Sequence, residues 1–151
     1  MKHLVLCTLL FLSMAVTGQK QSLTVKFTDV PSNDGRLSVL LFKGKDGFTN
    51  QKPFETKSLD VENFSSTWKL DSIPQGEYII YAFHDENVNG KMDVSETGMP
   101  DEAFAFSNNV QPKMGPPNPD EMLFTIKENE NATQNIKMIF MGMKDQGDKG
   151  S

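Results

Sequence analysis

The residues of this chain best suited to chemistry run Asp85-Glu-Asn-Val-Asn-Gly-Lys-Met-Asp-Val-Ser-Glu96. They set side-chain oxygens at positions 1, 3, 5, 9 and 12 of a twelve-residue loop, with glycine at position 6, the spacing with which a loop wraps Ca2+. A hard cation gathers about six to eight oxygens. Asp85, Asn87 and Asn89 are placed to wrap one side of it, and Gly90 permits the sharp turn. The carbonyl of Lys91 takes the next position, Asp93 binds directly or through water, and Glu96 closes the site with two oxygens. Met92, just after the carbonyl ligand, is expected to turn toward the core. The plainer reading is an Asn89-Gly90 hairpin turn with solvated acidic neighbours. Six matched positions favour the metal.

His84 directly precedes the loop. As a general base oriented by Asp85 or Glu102, with Ser107 as nucleophile, it could serve a small hydrolase. A histidine that caps a strand and hydrogen-bonds the acidic loop needs fewer coincidences, and an Asp85 holding Ca2+ could not also orient a base. The expectation is therefore a protein that is not an enzyme. Phe104, Phe106, Ser107 and Asn108 form a possible ligand region for a small molecule or glycan. Turn chemistry explains the Ser107-Asn108-Asn109 run without any ligand.

The element that presents the loop is a strand. Gly76-Glu-Tyr-Ile-Ile-Tyr-Ala-Phe-His84 is aromatic and β-branched, apolar on both faces, and follows the turn signal Pro74-Gln75-Gly76. Gly98 and Pro100 deny the loop a long exit helix. An EF-type ligand set on a β scaffold locks a loop, whereas calmodulin-like sensors open a helix pair.

Leu23, Val25 and Phe27 alternate with polar residues, and Asn33-Asp34-Gly35 turns the chain into Arg36–Phe42, apolar on both faces. Gly44 to Lys57 reads as a long loop that Phe48 and Phe54 pin to the core. Phe64, Ser66, Trp68 and Leu70 make the next strand, with Trp68 inward. Further strands are expected over Asp101–Val110, with Phe104 and Phe106 on one side, at Met122, Phe124 and Ile126, and at Ile136, Met138 and Phe140. Gln111 to Asp120, with four prolines, reads as an extended connection. The pattern predicts an all-β fold, a single antiparallel sandwich, with a closed barrel as the alternative.

Residues 1–18 read as a secretory leader: Lys2 and His3, then an apolar run from Leu4 to Val16, then small residues. The run is shorter than the roughly 20 residues of a spanning helix. Its removal takes away Cys7, the only cysteine, and Lys2, so the net charge of −5 becomes −6. Residues 19–141 are expected to form the domain and 142–151 a disordered tail. The acidic balance argues against nucleic acid and anionic membrane partners. An envelope protein or a glycan remains as a partner in the periplasm or outside the cell.

The segments Ile73-Pro-Gln-Gly-Glu-Tyr78, Phe83-His-Asp-Glu-Asn-Val-Asn-Gly-Lys-Met-Asp93, Gly98-Met-Pro-Asp-Glu102 and Phe106-Ser-Asn-Asn109, followed by Gly115-Pro116-Pro117, resemble domain-of-unknown-function family 2141. The likeness extends from about Leu23 to Phe140. It implies a prealbumin-like or immunoglobulin-like sandwich outside the cytoplasm and no particular activity. Glu96 lies outside the family's firm pattern, so Glu102 stands beside it as the candidate for the closing ligand.

Overall fold

The computed structural model describes residues 21–113 and 117–141. The expected leader over 1–18 and tail over 142–151 lie outside the described residues. β1 (Ser22–Thr28) buries Leu23, Val25 and Phe27 and turns Lys26 and Thr28 to solvent, as the alternation predicts. β2 (Arg36–Lys43) and β5 (Gly76–Asp85) are apolar on both faces because both faces are covered. On one face Leu37, Val39, Leu41, Tyr78, Ile80 and Ala82 join the main core. On the other, Phe42, Ile79 and Phe83 join a second, largely aromatic cluster.

Two sheets share the main core. One runs β4-β1-β8, with β4 at Ser66–Leu70 and β8 at Asn131–Lys137. The other has five strands: β3 (Glu55–Leu59), β2, β5, and then β6 (Phe104–Phe106) and β7 (Phe124–Ile126). β6 pairs with Tyr81–Phe83 and β7 with Gly76–Tyr78, so they lie end to end along one edge of β5. Trp68 of β4 is buried in the shared core.

Several expectations are corrected. The sheets do not close into a barrel: among the described residues β3, β4 and β8 remain edges. The pairing is not antiparallel throughout, because β1 and β8 run parallel from Ser22↔Asn131 to Thr28↔Lys137. The Gly44–Lys57 loop contains a helix, α1 (Gly44–Thr49), and the start of β3. Phe48 does pin this segment, meeting Phe42 edge-on at 5.3 Å, while Phe54 is only half-covered against Tyr78. β3 escapes the pattern because four of its five residues are exposed, so it carries no alternation to detect. Phe64 is not a strand residue; it sits at positive φ and 55% exposed. The proline-rich connection ends in a short helix, α2 (Pro119–Met122), which Asn118 caps by accepting the Asp120 N–H at 3.0 Å. The last strand is the polar run Asn131–Lys137 and stops before Met138.

Among the described residues no helix is long and apolar enough to cross a membrane.

Candidate functional site

The Asp85–Glu96 loop opens at the end of β5 and returns to β6 through Ala103, whose carbonyl accepts the His84 N–H at 2.8 Å. Asp85 is 3% exposed. Its Oδ1 accepts the N–H of Asn89 at 2.9 Å and its Oδ2 that of Gly90 at 2.8 Å. Two successive Asx bonds tighten the turn: Asn87 Oδ1 takes the Asn89 N–H at 3.0 Å, and Asn89 Oδ1 takes the Lys91 N–H at 2.8 Å. Val88 and Gly90 adopt positive φ, 57° and 78°, which a glycine meets without strain. The Nδ2 groups of Asn87 and Asn89 both donate to the Asp93 carboxylate, at 2.5 Å and at 2.9 and 3.1 Å. Asp85, Asn87, Asn89 and Asp93 therefore belong to one bonded cluster, with the Lys91 amide tied to it. Met92 packs against the second core cluster, as its position predicts.

Glu96 is exposed. Glu102, 5% exposed, lies inside the loop instead. Its Oε1 accepts the Glu86 N–H and its Oε2 the Asp93 N–H, each at 3.1 Å. Burial holds the Glu102 carboxyl above the usual carboxylate range; the Asp93 and Asp85 carboxylates add to the rise and the two N–H bonds oppose it. Among the described residues none of Asp85, Asp93 and Glu102 has a basic partner. No three His, Cys, Asp or Glu side chains among the described residues converge as metal ligands do. The donor types fit a hard cation, but the Asn87 and Asn89 amides must turn oxygen inward in place of nitrogen to receive one.

The sign of the Glu102 effect is testable without metal. Ionisation is disfavoured in the folded chain, so the stability it contributes is full below the ordinary glutamate value of about 4.3 and is lost as pH rises through the raised folded value. In chelator, Glu102→Gln is expected to gain stability relative to the natural chain as pH rises above the ordinary glutamate value of about 4.3 in urea unfolding. Parallel profiles would contradict this.

His84 has no exposed surface. Its Nε2 lies 2.7 Å from the Asp34 carbonyl, so the ring N–H donates into the Asn33-Asp34-Gly35 turn, while Nδ1 is 3.5 Å from Glu86 Oε1. The ring thus ties the end of β5 to the turn before β2. The Ser107 hydroxyl donates to the Met122 carbonyl at 2.6 Å and accepts the Ile80 N–H at 3.0 Å. Asn108 donates to the carbonyls of Glu121 and Leu123, and Asn109 brackets Asn135 and Lys137 of β8. The polar run satisfies distant backbone, where local turn bonds were expected. Phe104 and Phe106 instead face a groove of about 1000 Å3 on the outer face of the five-stranded sheet, beside Met92, Gly98, Met99 and Pro100 of the loop.

Gly35 also belongs to this site, though the sequence marks it only as a turn residue. A Cβ there would sit 2.3 Å from the Asp85 carbonyl oxygen and 2.5 Å from the Glu86 Cα.

No curated protein and no solved structure matches this chain. A family model matches residues 25–135, which include the second half of β1, the whole Asp85–Glu102 segment and most of β8. The chain belongs to domain-of-unknown-function family 2141, uncharacterized proteins conserved in bacteria.

Proposed function

We propose that this protein is an exported, non-enzymatic β-sandwich, prealbumin-like or immunoglobulin-like, whose loop is ordered by one Ca2+ and which has a structural or binding role at the bacterial cell envelope. The observation that carries the reading is the hydrogen-bonded cluster of Asp85, Asn87, Asn89 and Asp93, with Glu102 tied to it through the Asp93 N–H, in which no carboxylate has a basic partner among the described residues. A divalent cation supplies the missing positive charge and recruits the Asn87, Asn89 and Lys91 oxygens. Glu102 is the better closing ligand than Glu96, because it is already held inside the loop. Export rests on the leader in the sequence. Its removal takes away the lone Cys7, so calcium rather than a disulfide would act as the staple.

An extracellular-type site binds with Kd of about 10⁻⁴ to 10⁻³ M. Adding about 10 mM Ca2+ then stabilises the fold by about 1.4–2.7 kcal/mol and is expected to raise the melting temperature by roughly 5 °C. Asp93→Ala is expected to abolish that gain. Identical melting curves in calcium and in chelator would remove the metal from the account.

A further inference from the structure

The second core cluster leaves part of the outer face of the five-stranded sheet open as a cavity of about 1000 Å3, at the upper end of the roughly 300–1,000 Å3 of small-molecule sites. Its floor is Phe42, Tyr81, Phe104 and Phe106, and its walls include Phe48 of α1 and Met99 of the loop. Tyr81 stacks on Phe106 at 5.3 Å, so the floor is a built aromatic surface. At the rim Met99 and Met141 remain 45% and 39% exposed, which extends the apolar lining to solvent.

The polar side chains in the lining, among the described residues, are Thr49, Gln51, Tyr81 and Lys113. In a chain of net charge −5, no carboxylate among the described residues lines the cavity, and the one charged side chain among them is Lys113. Lys113 is exposed and makes no ion pair among the described residues. The Tyr81 hydroxyl makes no hydrogen bond to another described residue. Burial, and then the Glu102 carboxylate, push this phenol up to about 12, so it stays a donor at any physiological pH. A glycan needs many more polar partners than these walls supply. An apolar body with one anionic oxygen head matches both the aromatic floor and the lone ammonium.

We propose that this groove binds a monomeric aliphatic carboxylate, its chain against the Phe42, Phe104 and Phe106 rings and its carboxylate on the Lys113 ammonium. The site stands on its own lining and does not require metal in the neighbouring loop.

The test is isothermal titration of the mature chain with decanoate in chelator, so that failure of this site and failure of the calcium reading stay separate. Decanol serves as the uncharged analogue, and phosphatidylcholine vesicles as the membrane alternative. Saturable one-to-one binding of decanoate is expected. Lys113→Glu is expected to weaken decanoate about tenfold and to leave decanol unchanged, whereas Met99→Glu weakens both. Both side chains are exposed, and unchanged circular-dichroism melts check that the variants fold. Absence of saturable decanoate binding below about 1 mM overturns the proposal, as does binding to vesicles without binding of monomer. Equal affinity for decanol and decanoate, unaltered by Lys113→Glu, overturns the carboxylate assignment.

Discussion

Gly35→Ala is expected to cost about 3 kcal/mol and to disorganise the Asp85–Glu96 loop along with the fold. Gly35 sits at φ +73°, where a side chain is strained, and the added Cβ would fall on the backbone of Asp85 and Glu86. Neither neighbour can give way cheaply. Asp85 closes the ladder with Arg36, and Glu86 donates its N–H to Glu102. The same turn supplies the Asp34 carbonyl to His84, so displacing it also leaves a fully buried ring without its acceptor. Urea unfolding in chelator measures the loss, and melting with and without calcium measures the coupling. A variant with the natural midpoint and the natural calcium response would show that the turn and the loop do not bear on one another.

Asp85→Ala is expected to lose about 2–4 kcal/mol even without metal, and all protection by calcium. Its carboxylate accepts two backbone N–H groups, those of Asn89 and Gly90, at the buried foot of the loop. Alanine leaves the Gly90 donor without its partner and the Asn89 donor with only Asn87 Oδ1, at a partly buried turn. Asp93 offers the contrast. Its carboxylate partners are the Nδ2 groups of Asn87 and Asn89, in solvent-exposed bonds that water can replace. Asp93→Ala should therefore leave metal-free stability within about 1 kcal/mol of the natural chain while erasing the calcium response. Comparing the two variants by urea unfolding in chelator and in calcium separates a structural carboxylate from one whose role is to hold an ion. Equal losses from both in chelator would contradict the division of labour.

Much of the scaffold was legible in the residues. Where a strand buries one face, as β1 does, alternation reports it directly; where it buries both, as β2 and β5 do, an unbroken apolar run reports it. The polar strands were not legible. β3 and most of β8 sit at sheet edges and bury little, so their place is decided by hydrogen bonding to Leu37–Leu41 and Ser22–Thr28, which leaves no trace in hydropathy. The parallel pairing of β1 with β8 was hidden for the same reason.

The sequence by itself determined the order of oxygen-bearing residues in the Asp85–Glu96 loop, the strand that presents it and the family. These are properties of neighbouring residues, and local spacing expresses them. Only the tertiary structure decided that Glu102 rather than Glu96 lies within the loop, because that depends on how far the chain travels before it returns to pair with β5. It also decided that Gly35 presses against the loop's first residues and that Phe104 and Phe106 floor a groove. Such contacts join residues far apart in the chain, and only the hydrogen bonding and packing of the whole sheet bring them together.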